Sequence, residues 1–399
     1  MKTVGIIAEF NPFHNGHKYI IDQQKRLGNR VVCVIGDDFT QRGDVALISK
    51  YARAEAALLC GADLCILMPV SWSMSCAYNF ALGGISLLHS LGNVDAVAFG
   101  SECGDVKKLI RVADAVHGDA ITPILSSELK KGNTFAKARQ NALYALIGDD
   151  ASVLESPNDT LATEYISAAK SLGFNPEFIA IKRTGIDHDS EKTIDNFASA
   201  SMIRKAVLDG DTNIISAYIP PESFDVLMRE KEAGKLASVN NIESAILSYL
   251  RRLTREDIKA LPEVGEGLEN KIYDAVHNCT NLNDIFESIK SKRYTLARIR
   301  RIIFSAFLNL DTELFGQPVP YIKVLGFNSA GEEILKNASP SIPIINRNRD
   351  YLYLSGTAQK CFNIQNTASN LYAMAYNKPQ PCDTELLASL IKVKNPLGE

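Results

Sequence analysis

The sequence predicts an α/β protein: a doubly wound parallel sheet followed by a mainly helical C-terminal domain. Three observations carry this. Short runs rich in Val, Ile, Ala and Cys recur through the first half: "TVGIIAEF", "RVVCVIG", "DLCILMP", "VDAVAFG" and "EFIAIKR". Such runs have no polar face, as expected of parallel strands covered on both sides. Segments of helical spacing separate them, starting near His17, Lys50, Ser75, Val106 and Leu161. After Pro220-Pro221, which cannot continue a helix, the pattern turns helical, near Glu243 to Arg252, Thr254 to Ala260, Leu268 to His277, Leu282 to Lys290 and Leu296 to Asn309. The expected division is therefore 1–219 and 220–399, the second part also carrying strand candidates "YIKVLGF" and "YLYLSG".

At 399 residues the chain is long enough for two cores, and 46% hydrophobic with 22% charged residues is ordinary for a globular protein. A net charge of -3 excludes a protein coated in basic surface but leaves room for a local basic patch. No apolar run approaches the roughly 18 to 20 residues that span a bilayer, and the first residues lack the pattern of a signal peptide. A cytoplasmic protein without a membrane partner is expected, and no obligate protein partner is evident. The eight cysteines form no C-x-x-C pair, so most read as buried, reduced thiols.

In a doubly wound sheet, ligands collect at the carboxyl ends of the strands. There the chain reads "FNPFHNGH": a turn at Asn11-Pro12, then His14 and His17 where a helix begins. A helix start offers unpaired N–H groups and a positive dipole end, and two imidazoles add donors for phosphate oxygens. Gly16 would let a nucleotide approach the backbone. The other readings are two capping or surface histidines, or a metal site. Zinc would need further ligands, and His89, His117, His188 and His277 are scattered, so no bound metal is expected. Asp187-His188-Asp189 reads as a solvated loop rather than a metal site.

The H-x-G-H string after a first strand resembles the signature of the HIGH superfamily of nucleotidyltransferases, which implies a HUP/Rossmann-like catalytic domain in 1–219. "SASMIR", Ser199 to Arg204, is similar to that superfamily's second element, with Ala200 and Met202 in place of small polar residues. The longer strings "GIIAEFNPFHNGHKY", "GDDFTQRGDVALISKYARAEAAL", "GADLCILMPVSWS", "VAFGSE", "SPNDTLATEYISA" and "IKRTG", with the later "GLENKI" and "ASNLYAMAY", resemble the tRNA(Met) cytidine acetate ligase family over nearly the whole chain. That resemblance implies a ligase that activates acetate with ATP as acetyl-adenylate, releasing pyrophosphate. It then implies acetylation of N4 of the wobble cytidine of elongator tRNA(Met).

The resemblance also implies the site. His14 and His17 would neutralise charge on the departing pyrophosphate. ATP contacts would come from Ile7, Ala8, Glu9, Phe10, Asn11, Pro12, Phe13, His14, Asn15, Gly16, His17, Lys18, Tyr19 and Ile20, and from Gly100, Asn158 and Arg183. Ser201 and Arg204 would reach the triphosphate, with Mg2+ accompanying ATP. Each has a plainer reading: a serine helix cap for "SASMIR", a turn glycine for Gly100, a helix cap for Asn158 and a surface ion pair for Arg183. Glu102, Gln41 and Arg42 are attractive but unassigned.

tRNA needs basic surface, and "KSKRYTLARIRRIIF" has no acidic residue between Lys290 and Leu310. Lys292, Arg293, Arg298 and Arg301 are candidates to grip phosphates, with Tyr294 placed to stack on a base. A solvated helix face over an apolar stripe is the competing reading. Two other functions stay open: a small-molecule adenylyltransferase of cofactor metabolism, and a non-catalytic ATP-sensing RNA-binding protein.

Overall fold

All five expected strands of the first half form. The computed structural model describes residues 1–133, 135–183, 198–265, 267–347 and 349–394. Strands β1 (Thr3–Ala8), β2 (Arg30–Gly36), β3 (Leu64–Met68), β4 (Ala96–Ser101) and β5 (Glu177–Lys182) are parallel and lie in the order β5-β4-β1-β2-β3. Their alternate side chains enter two different cores. Val32 and Val34 pack with Ile7, Leu64 and Ile66 beneath helices Ala77–Leu91 and Pro157–Ser171, whereas Val31, Cys33 and Ile35 pack with Ile6, Cys65 and Leu67 beneath helix Lys50–Leu59. This two-sided burial is why the strand sequences show no alternation.

The expected boundary at residue 220 does not divide the sheet. Strand β6 (Ile322–Phe327) pairs antiparallel with β3, and β7 (Ile344–Ile345) and β8 (Ile391–Lys392) pair with β6. The open edge of β3 is thereby covered, which removes a row of unpaired backbone groups. The "YLYLSG" segment is a short 3-10 helix, Asp350–Tyr353, rather than a strand; Leu352 and Tyr353 face solvent while Tyr351 and Leu354 pack against the core.

The helical expectations beyond residue 220 are met by Glu243–Leu250, Arg255–Lys259, Leu268–Asn278, Leu282–Ile289 and Leu296–Phe307. Their apolar stripes form a third core, which also takes in Phe39 and Val45 from the loop after β2 and Tyr372 and Tyr376 from the C-terminal region. No described helix is long and apolar enough to cross a membrane.

A buried ionic cluster ties the C-terminal region to the sheet. The Lys50 ammonium lies 3.0 Å from Asp37, 3.1 Å from Asp38 and 2.6 Å from Glu385. Lys323 also pairs with Glu385, and Ser369 and Gln365 supply further hydrogen bonds. Burial alone would lower the Lys50 pKa, but the three carboxylates reverse this and hold it well above the usual lysine range. Burial would likewise raise Glu385, yet Lys323 and Lys50 hold it below the usual carboxylate range.

Lys50→Met removes the central cation and leaves Asp37 buried without a cation, beside Asp38 and Glu385, which keep Arg53 and Lys323. Breaking a buried ion network from one side costs about 3–5 kcal/mol, to be read from urea unfolding at neutral pH. Without the lysine, burial and the neighbouring carboxylates raise the folded-state pKa of Asp37 further above its unfolded value. The deficit should therefore narrow as the pH falls towards about 5, where protonation relieves the repulsion.

Candidate active site

The strand order reverses between β1 and β4, and a cavity of about 280 Å³ opens there at their carboxyl ends. Of the fourteen consecutive positions expected to meet ATP, Ile7, Ala8, Glu9, Phe10, Asn11, His14, His17 and Ile20 line it. Gly100, Asn158, Arg183, Ser201 and Arg204 line it too, so five segments distant in sequence converge on one space. Pro12, Phe13, Asn15, Gly16, Lys18 and Tyr19 lie outside the lining: Phe13 is core, Lys18 pairs with Asp22 at 3.0 Å and Tyr19 is exposed.

Both histidines cap the helix Asn15–Arg26. His14 is its N-cap: the Nδ1 of His14 accepts from Gly16 N–H at 3.0 Å, and the Nδ1 of His17 accepts from His14 N–H at 3.2 Å. Because each Nδ1 accepts, each neutral ring carries its proton on Nε2. The rings stack with centroids 3.7 Å apart, and Phe10 meets His17 edge-on at 4.9 Å. The capping reading is met, and capping fixes the rings that line the cavity. Gly16 also serves this cap, since a Cβ there would lie 2.9 Å from His14 Cε1.

The chain between β1 and this helix is pinned from several sides. Phe10 has φ 50°, a left-handed value that costs energy outside glycine, and the Asn11-Pro12 peptide is cis. Arg204, on the helix Ala200–Asp209 capped by Ser199, donates to the Asn11 carbonyl at 2.8 Å. Asn11 Oδ1 accepts from Leu47 N–H at 2.9 Å, and Ser223 Oγ donates to the Phe13 carbonyl at 3.0 Å.

On the β4 side, Gly100 is an open floor rather than a tight turn: a Cβ there would make only ordinary contacts, the nearest with Arg183 at 3.5 Å. Asn158 is not the cap of helix Pro157–Ser171; that position is Ser156. Instead Asn158 Nδ2 donates to Glu102 Oε1 at 2.6 Å, while Glu102 Oε2 accepts from Asp159 N–H at 3.0 Å. Asp159 in turn accepts from Ser101 Oγ and from the N–H groups of Glu102 and Cys103. Glu102, unassigned from sequence, therefore orients Asn158.

Sequence reasoning missed an apolar wall of Phe80, Phe99, Leu161 and Tyr165, and the charged residues Asp44 and Arg300. Gln41 and Arg42, noted but unassigned, also line the cavity. Burial pushes the Glu9 carboxyl above its usual pKa, against the Gln41 N–H bond and the charges of Arg53, Arg204 and Arg42. Burial raises Asp44 likewise, against the Val45 N–H bond, Arg300 and Arg204.

Two of the basic candidates for RNA are already engaged. Arg298 donates to the Glu263 carbonyl at 2.7 and 3.1 Å, and Arg301 meets both Glu263 carboxylate oxygens at 2.6 and 2.7 Å. Arg301 also donates to the Gln41 carbonyl at 3.2 Å. Lys292 and Arg293 are exposed, whereas Tyr294 is buried and faces Arg298 and Lys271. Asp187-His188-Asp189 lies outside the described residues.

A nucleotide-sized cavity at the switch point of a parallel sheet, with two imidazoles at a helix start, defines a nucleotidyltransferase site, and the profile of the HIGH Nucleotidyl Transferase family matches residues 1–385. A tRNA(Met) cytidine acetate ligase of Thermoanaerobacter sp. (strain X514) is 38% identical across 98% of this chain and 100% of its own length. One from Acetivibrio thermocellus is 32% identical across 95% and 96%. The chain belongs to the tRNA(Met) cytidine acetate ligase family. Its fold is similar to the crystal structure of Thermotoga maritima TmcAL, with TM-score 0.93, 29% identity and coverage of 99% and 100%. It is also similar to the same protein bound with alpha-thio ATP, with TM-score 0.90, 30% identity and coverage of 98% and 100%.

Glu102→Ala removes the acceptor that orients Asn158. The Kd for a non-hydrolysable ATP analogue, measured by calorimetry, should rise about tenfold, as for loss of a charge-assisted hydrogen bond of about 1.4 kcal/mol. An unchanged Kd would show that orientation of Asn158 by Glu102 has no part in nucleotide binding.

Proposed function

We propose that this chain activates acetate with ATP and transfers the acetyl group to N4 of the wobble cytidine of elongator tRNA(Met). The observation that carries this reading is the capped histidine pair inside a cavity that also gathers Arg183 and Arg204. The family relationship adds the tRNA(Met) cytidine as acceptor.

Acetate is a poor acyl donor, and joining it to AMP supplies a good leaving group. In that step an acetate oxygen attacks the α-phosphorus and the bond to the β-phosphate oxygen breaks. Little covalent chemistry falls to the protein, which must align the two anions and neutralise charge on pyrophosphate. Nε2–H of His14 and His17, the N-terminal end of their helix, and Arg204 supply that neutralisation. Ser201 lies beside Arg204 for the same triphosphate. The wall of Phe99, Leu161 and Tyr165 suits the purine, with Asn158 for its polar edge and Arg183 beside Gly100. ATP enters as its Mg2+ complex, with phosphate oxygens and water as the metal's ligands.

The helical segment 221–310 is the proposed tRNA-binding part. Its phosphate contacts fall to the exposed Lys292 and Arg293, while Arg298 and Arg301 hold Glu263 and the Gln41 loop in place. The tRNA activity separates this reading from a small-molecule adenylyltransferase, and catalysis separates it from an ATP sensor.

Acetate-dependent exchange of labelled pyrophosphate into ATP tests the first step. His14→Ala and His17→Ala should each lower that exchange by about 10²–10³-fold while tRNA binding stays near wild type. Exchange that ignores acetate would refute the substrate, and a variant at wild-type rate would refute the role given to that histidine. The double variant Lys292→Ala, Arg293→Ala should weaken tRNA binding and flatten its salt dependence by about two counterions. Equal slopes for wild type and variant would place the RNA elsewhere.

A further inference from the structure

A second cavity, of about 240 Å³, abuts the first, and the two share Asp44, Arg204 and Arg300 as a common wall. Its far side comes from the helical part: Asn240, Glu243, Asn283, Phe286 and Phe304. The two aromatic side chains are buried, and the Arg300 guanidinium lies 5.3 Å from the Phe286 ring centre. Arg300 Nε is buried without a hydrogen-bond partner, an unmet donor on the shared wall. Gly43 makes the join possible: its φ is 70°, and a Cβ there would lie 2.5 Å from Arg300 Cβ and 2.6 Å from Arg301 N. The backbone after β2 thus lies directly on helix Leu296–Phe307, placing Asp44 at the joint.

We propose that this second cavity is the acceptor subsite, taking the unstacked pyrimidine of the RNA, with Asp44 receiving the proton that the amino nucleophile gives up. The proposal rests on the acetate ligase reading and extends it to the second step. An aromatic floor with amide and carboxylate groups at the rim is what single-stranded base recognition requires: a stacking surface and partners for a base edge. Apart from Arg300, the lining of the first cavity takes nothing from the helical part, and its apolar wall comes largely from β4 and the helix Pro157–Ser171.

The chemistry calls for a base at this joint. The lone pair of a cytosine amino group is delocalised into the ring, so its attack on the acetyl carbonyl must be accompanied by loss of a proton. The new N4–C bond forms and the C–O bond to the adenylate phosphate breaks. AMP leaves with that electron pair, and the N4 proton passes to the Asp44 carboxylate and then to water. Asp44 is held for this role by its own backbone: its carbonyl accepts from Thr40 N–H at 2.8 Å and its Oδ1 from Val45 N–H at 2.8 Å. Burial raises its basicity without removing it from the wall, where Arg300 and Arg204 counter the burial.

Full-length protein charged with ATP and acetate can be discharged by either of two nucleophiles. Hydroxylamine needs no base and yields acetohydroxamate; tRNA(Met) yields N4-acetylcytidine, scored by nucleoside mass spectrometry. For Asp44→Asn the ratio of the cytidine rate to the hydroxamate rate should fall by about 100-fold, with partial recovery in Asp44→Glu. Asn283→Trp, which fills the second cavity from its exposed rim, should lower the same ratio at least tenfold and raise the KM for tRNA. Hydroxamate formation in each variant reports that the ATP cavity is folded. An unchanged ratio in either variant overturns the acceptor subsite. Absence of acetate-dependent hydroxamate from the wild type would instead overturn the acetate ligase reading on which it stands.

Discussion

One buried guanidinium holds the carboxyl ends of the two central strands together. Arg53, on helix Lys50–Leu59, has no solvent exposure and donates to the carbonyls of Glu9, Gly36, Asp37 and Ile48 and to the Asp38 carboxylate. The carbonyls of Glu9, Gly36 and Asp37 sit where β1 and β2 stop pairing, and Arg53 supplies them with donors there. A lysine has no planar fork of donors for acceptors on several chain segments. The turn of β1 into the histidine helix and the exit of β2 into the loop of Asp44 both start from this point. The geometry of the ATP cavity and of its shared wall thus inherits one local solution to backbone hydrogen bonding.

The loop after β2 then links the two halves of the molecule. It touches the sheet through Arg53 and the helical part through Arg301, which bonds the Gln41 carbonyl, and through Gly43, which lies against Arg300. Glu263 completes the fastening by holding Arg298 and Arg301. These arginines are partly sequestered charge-assisted donors, stronger than surface pairs, which suits them to fixing one segment against another. The proposed two-step reaction needs such a fixed relation, because an activated acetyl group must meet its acceptor before water does.

Much of this was legible in the sequence, and the reason is local. The run "RVVCVIG" matches β2 because an all-apolar strand between two layers is specified by its own residues. The helix of His14 and His17 was legible from the turn before it, but their capping bonds were not, since these depend on the backbone angles of the cap. What failed was non-local. Nothing in "YIKVLGF" says that it adds antiparallel to β3, some 260 residues earlier. The partner of Arg298 and Arg301 lies over thirty residues upstream, so the basic run looked unneutralised when read along the chain. The apolar run "YLYLSG" misled for the opposite reason: its residues bury Tyr351 and Leu354 against the core from a 3-10 turn, so an apolar run alone did not require a strand.

Electrostatics finally orders the two steps. The proposed substrates, ATP and acetate, are anions, and Glu9 and Asp44 line the cavity proposed to take them. Both carboxyls are raised by burial, so they gain a proton more readily than exposed ones when further negative charge arrives. A formal charge count therefore overstates the repulsion met by the incoming triphosphate. Once pyrophosphate has left, the local negative charge is smaller, and Arg300 and Arg204 favour the ionised form of Asp44. A carboxylate with an ordinary exposed pKa would resist the first step more strongly and be a weaker base in the second.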